Sequence, residues 1–151
     1  MKKTICLVGI GLLLVSMLLM SCATGQKTLI TKSNVATLRG TWQGWTTFSS
    51  APGKPVLTNM EISNDTVPLI GTLKLYNVPQ PIANIFPAVV VQAGNNVIMD
   101  FANGEISSEG LLIGQSGKNF LELTLYTGEK MKMNGWFYYY DAKGTMELTK
   151  K

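Results

Sequence analysis

The sequence predicts an all-β fold, an antiparallel up-and-down barrel or a closely related sandwich of eight or nine strands, behind an N-terminal signal helix. Three observations carry this reading. From Leu38 onward apolar residues recur at every second position in short runs. Gly, Asn, Asp and Pro separate those runs. No window of about eleven residues or more has the i, i+3, i+4 spacing of an amphipathic helix. A chain of 151 residues with one such pattern is one ordinary domain, large enough to bury its own core.

The chain begins with Met1-Lys2-Lys3 and an uncharged apolar run from Ile5 to Met20. That run is shorter than the roughly 20 residues a bilayer span needs. It closes on Leu19-Met20-Ser21-Cys22, which resembles a bacterial lipobox. The resemblance implies that residues 1–21 are a lipoprotein signal peptide and are cleaved off. Cys22 then becomes the first residue, carrying a thioether-linked diacylglycerol and a further acyl chain such as palmitate. An uncleaved anchor helix and an ordinary secretory signal cut nearby stay open as alternatives. Each buried methylene contributes roughly 0.8 kcal/mol, so two or three acyl chains hold a protein to a bilayer. Ala23, where the sorting rule of enteric bacteria would place Asp for retention, favours the outer membrane by the same resemblance. The implied location is the cell envelope, with the membrane as partner through Cys22.

Composition excludes several function classes. Lys2 and Lys3 belong to the leader, so 11 of the 13 basic residues remain against nine acidic ones, scattered and too balanced to argue for nucleic acid. Cys6 leaves with the leader, so the mature chain has one cysteine and no intramolecular disulfide. Histidine is absent, which removes the commonest general base and metal ligand. Most carboxylates fall in turns or on outward positions. Asp100, between Met99 and Phe101, is the exception, and if buried it needs a partner such as Arg39. No enzyme, metal or cofactor is expected.

Residues 22–36, the lipidated cysteine followed by a polar stretch without periodicity, read as a flexible tether, and 37–151 as the barrel domain. In the first strand Leu38, Gly40, Trp42, Gly44, Thr46 and Phe48 share one face. Gly40-Thr41-Trp42 resembles the opening strand of lipocalin-like and avidin-like small barrels, and the resemblance implies that Trp42 packs across one barrel end. Val56–Ile62 and Val67–Leu75 form a hairpin about an Asn64-Asp65 turn, which sets Ile62 opposite Val67 and Met60 opposite Leu69. Pro68, lacking an amide proton, belongs at a strand start or an edge. Residues 78–87, with three prolines, read as an extended connector whose Ile82, Ile85 and Phe86 plug one end, or gate it.

Strands follow at Ala88–Gln92 and Val97–Ala102, with a two-residue turn at Asn103-Gly104 placing Phe101 opposite Ile106. Leu111 and Ile113 are then assigned inward, which requires a β-bulge near Glu109-Gly110. In the last three strands Leu121, Leu123, Leu125, Met131, Met133, Phe137, Met146 and Leu148 face in, because the charged residues all lie on the other side. Parity demands an odd loop around Thr127-Gly128-Glu129 and an even one within Asp141–Gly144.

Two sets of candidate site residues result. Inside, Trp42, Met60, Met99, Met131, Met133, Phe137 and Met146 would give a soft lining suited to a small apolar or amphiphilic ligand, and ordinary core filling explains the same residues. Outside, Phe120 is set opposite Trp136, with Tyr138 and Tyr140 beyond, an aromatic row that could meet an envelope protein, sugar rings or the membrane interface unless the connector covers it.

Overall fold

Alternation assigns each strand an oily and a wet side, and the computed structural model closes those strands around the oily one. It describes residues 25–116, 119–139 and 141–151, with the side chains of residues 116, 119 and 120 left aside. The lipobox, Cys22 and Tyr140 therefore lie outside the described residues. The strands are β1 (Gln26–Thr28), β2 (Gly40–Phe48), β3 (Val56–Ile62), β4 (Leu69–Tyr76), β5 (Val91–Gln92), β6 (Asn96–Ile106), β7 (Leu112–Ser116), β8 (Asn119–Thr127), β9 (Lys132–Tyr139) and β10 (Ala142–Lys150). β2, β3, β4, β6, β7, β8, β9 and β10 pair antiparallel in succession, and β10 pairs back onto β2. The result is a closed eight-stranded barrel; β1 adds to β8 and β5 to β6.

Inward residues follow the expected parity. Trp42 and Phe48 on β2, Met60 and Ile62 on β3, Leu121, Leu123 and Leu125 on β8, Met133 and Phe137 on β9, and Met146 and Leu148 on β10 are all buried. Removing such a side chain from water stabilises the fold by about 1.5–3 kcal/mol. Two buried polar groups satisfy each other: Thr58 Oγ1 donates to the Val56 carbonyl at 3.0 Å, leaving Thr46 as donor in the 2.8 Å contact between the two hydroxyls. β2 and β10 come very close at Gly44. A Cβ there would stand 1.8 Å from the Glu147 carbonyl oxygen, so only glycine lets β2 and β10 approach this closely.

Both barrel ends are covered. At one end the segment expected as a flexible tether is instead packed. β1 pairs with β8, Ile30 donates its N–H to the Gly110 carbonyl at 3.0 Å, and Val35–Leu38 form a 3-10 turn. Ile30, Val35 and Leu38 are buried, so the flexible-tether reading is corrected from residue 25 onward, and Leu38 precedes the strand rather than opening it. Apolar residues without period find a use as a stopper for a barrel mouth. The opposite end is closed by residues 77–95, where the expected extended connector forms one helical turn at Gln80–Ala83. Pro81 sits in its first turn, where a missing N–H breaks no bond. Ile82, Ala83 and Phe86 point into the barrel, and the Phe86 ring stacks on Tyr139 at 4.7 Å and on Phe137 at 6.3 Å.

Registers differ from expectation where loops decide them. Ile62 pairs with Gly71 and Met60 with Leu73, so the β3–β4 loop is four residues longer than a two-residue turn at Asn64-Asp65. The Asn64 side chain holds it, donating to the carbonyls of Thr66 and Pro68 and accepting from the Ile70 N–H, each at 2.8 Å. Pro68 immediately precedes β4, where its missing donor is harmless.

Asn103-Gly104 is not a turn: it lies inside β6. Leu69 pairs with Gly104 and Gly71 with Phe101, so three steps on β6 oppose two on β4. The extra residue is a bulge at Ala102 and Asn103, both exposed, which lets Phe101 and Gly104 both face inward. Gly104 is required there, since a Cβ would lie 2.7 Å from Leu69 Cβ.

The flip of parity therefore occurs before Ile106, and Glu109-Gly110 belongs to the β6–β7 turn. As a consequence Leu112 faces in, opposite Leu123, while Ile113 pairs with Glu122 on the outside. The Ala88–Gln92 strand shrinks to Val91–Gln92. The β8–β9 loop is odd as required but centred on Glu129, and β9 and β10 are joined by residues 140 and 141 alone.

Candidate functional site

The inner set is gathered in one place, the core. Trp42, Met60, Met133, Phe137 and Met146 are 0% exposed, Met99 is 4% exposed, and Met131 is half-buried at the barrel rim. Zero exposure has a direct meaning, because a void large enough for a water would leave area on the side chains lining it. Among the described residues a small void of about 10 Å³, space for at most one water, lies beside Leu73, Met99, Asp100, Phe101, Gly114, Leu121 and Phe137. Trp42 spans its barrel end with Nε1 donating to the Leu38 carbonyl at 2.8 Å and the Lys150 ammonium 5.6 Å from the ring centroid. Lys150 also donates to the Thr37 carbonyl, so it ties the last strand to the N-terminal stopper.

The outer set stands on β9. Trp136 is 39% exposed and Tyr138 half-buried, with ring centroids 6.3 Å apart. The Lys143 ammonium sits 4.6 Å from the Trp136 ring and 5.3 Å from the Tyr138 ring, a cation–π contact that fixes both rings against the barrel wall. Phe120 is opposite Tyr138 rather than Trp136, whose partner is Glu122. The side chain of Phe120 and all of Tyr140 are outside the described residues. The connector leaves Trp136 uncovered: Phe86 turns into the barrel and Ile85 faces Ser50–Lys54 of the β2–β3 loop.

Asp100 is exposed and accepts a hydrogen bond from Thr72 Oγ1 at 2.7 Å, so the conditional need for Arg39 falls away. Among the described residues no group of three or more Asp, Glu or Cys side chains could hold a metal ion.

Sequence reasoning passed over Trp45. With Trp42 inward, parity sends Trp45 outward, and it is 53% exposed. It walls a groove of about 520 Å³ on the outside of β2, β10 and β9, together with Leu57, Gln43, Lys130, Lys132, Asn134, Glu147, Thr149 and Lys151. Cross-strand register assembles it: Trp45 stands opposite Glu147 and Glu147 opposite Asn134, while Gln43 stands opposite Thr149 and Thr149 opposite Lys132. A second cleft, about 510 Å³ and mostly apolar, separates Ser50–Lys54 in the β2–β3 loop from Pro79, Pro81, Ile82 and Ile85 of the connector.

No protein-family model matches the chain, and neither does any curated protein or any solved structure.

Proposed function

We propose that this chain is a non-catalytic binding module of the cell envelope, tethered by lipid on Cys22, that works through its outer surface on a protein partner. One observation carries the choice of surface over interior: the side chains that would line a ligand chamber, Trp42, Met60, Met133, Phe137 and Met146, have no accessible area. A ligand inside would have to displace packed groups, and overfilling a core costs about 1–3 kcal/mol before any new contact forms. The outward aromatic pair, exposed Trp136 and half-buried Tyr138 beside Lys143, supplies what partner-binding patches are enriched in, rigid aromatics whose ordering loses little entropy.

Native mass spectrometry of the detergent-solubilised full chain from its host tests this. A co-purifying envelope protein, lost in the Trp136→Ala/Tyr138→Ala double variant while that variant still unfolds cooperatively well above ambient temperature, supports the reading. A retained small apolar molecule with no protein partner overturns it in favour of an interior site. That second reading draws on the connector plug, whose displacement together with Phe86 would uncover Phe137 and Tyr139.

A further inference from the structure

A lipid on Cys22 would leave the barrel almost no tether. Only Ala23, Thr24 and Gly25 separate Cys22 from β1, and β1 is pinned to β8 through Gln26 opposite Thr127 and Thr28 opposite Leu125. At about 3.5 Å per residue those steps reach roughly 14 Å fully extended. The barrel wall beside Thr127 is therefore held against the bilayer surface, within little more than the Debye length of about 10 Å over which exposed charges act.

At the barrel end that carries this exit, lysines gather on β9, in the loop before it and just after β10. On the strands next to the exit, Lys130, Lys132 and Lys151 border the Trp45 groove and make no ion pair among the described residues. Lys27 on β1 and Arg39 before β2 are exposed beside them. At the same end Glu61, Asp65, Glu105 and Glu109 occupy β3, β6 and the loops that follow them, with Glu61 opposite Thr41 on β2. Glu129 and Glu147 lie among these lysines.

We propose that this cationic side, centred on Lys130, Lys132 and Lys151, docks on anionic phospholipid headgroups, so that the barrel leans toward β9 and β10 instead of standing upright. The inference rests on the lipid-anchor reading of Cys22. It also gives the groove an occupant, since phosphate oxygens suit unpaired ammonium groups and an indole suits the headgroup level. The β6 wall, four strands round the barrel from β10, then faces away from that surface.

The test uses the full chain, processed and acylated in its expression host and reconstituted in vesicles. With Cys6 gone and Cys22 acylated, Thr41→Cys and Asn103→Cys each supply one free thiol for an environment-sensitive fluorophore. Both positions are exposed; Thr41 lies on β2 beside the end of β10, where its carbonyl accepts from the Lys151 N–H at 3.0 Å, and Asn103 lies on the β6 bulge, four strands round the barrel from β10. On vesicles of phosphatidylcholine and phosphatidylglycerol at about 0.1 M salt, the probe at 41 should be blue-shifted and shielded from acrylamide, and the probe at 103 should not. The shielding should vanish at about 1 M salt, where the Debye length is about 3 Å, and on phosphatidylcholine alone.

Lys130→Glu/Lys132→Glu/Lys151→Glu should expose position 41 while the protein still floats with the vesicles. Equal quenching at 41 and 103 in a floating protein overturns the docking and leaves the anchor standing. Shielding at 41 that ignores salt and lipid charge overturns its electrostatic basis. A protein that fails to float on phosphatidylcholine alone at high salt overturns the anchor on which the docking geometry rests.

Discussion

Phe86→Ala tests whether residues 77–95 are part of the core or a loose cover. The ring is 5% exposed and stacks on Tyr139 at 4.7 Å with planes 17° apart, and on Phe137 at 6.3 Å and 18°. Truncation removes its burial, about 3 kcal/mol at most. It also removes aromatic contacts worth about 0.5–1.5 kcal/mol each, and it leaves a cavity over Phe137. Phe→Ala changes of this kind cost about 3–5 kcal/mol. For a domain of this size each kcal/mol moves the melting temperature by roughly 3–5 °C. The near-UV circular dichroism transition of the variant should therefore fall by roughly 10–20 °C. Val89→Ala, on the same segment but 88% exposed, serves as the control and should stay within about 0.5 kcal/mol of the parent. If Phe86→Ala melts within a few degrees of the parent, the segment is a lid and not a plug, and the case against an interior ligand weakens with it.

Further predictions follow from individual contacts. Gly44→Ala drives a methyl group into the Glu147 carbonyl, which a flexible side chain cannot relieve; a loss of about 2–3 kcal/mol or failure to fold is expected, and a parental melting temperature would contradict the close approach of β2 and β10 there. Thr46→Val leaves the Thr58 oxygen without its donor and should cost about 1–3 kcal/mol, whereas Thr46→Val/Thr58→Val should cost no more than the single change, because both ends of the pair are then apolar. Additive losses in that cycle, measured by chemical denaturation, would mean the hydroxyls do not act as a pair. Trp136→Ala/Tyr138→Ala should lower stability by about 1 kcal/mol or less per ring, since neither ring is in the core. Cooperative unfolding of that variant at ambient temperature would mean the faces of β9 are inverted.

Period-two alternation was enough to place Trp42, Phe137, Met133 and Met146 inside and Trp136 and Tyr138 outside, because burying a Lys or Glu without a partner costs far more than any local preference returns. The barrel class was legible for the same reason, since the pattern persists strand after strand. What alternation cannot see is how far one strand slides along the next: steps of two residues leave every side chain on its own face. The β3–β4 register was therefore decided by Asn64 bonding across its loop, and the Asn103-Gly104 pair became a bulge because Gly104 had to clear Leu69. The two stoppers were equally hidden. Ile30, Val35 and Leu38 at one mouth, and Ile82 and Phe86 at the other, follow no period of their own and are ordered only by an already closed barrel. Whether the centre is a chamber or a packed core likewise depends on those stoppers and on side-chain volumes meeting across the barrel, a property of the assembled fold and of no single stretch of chain.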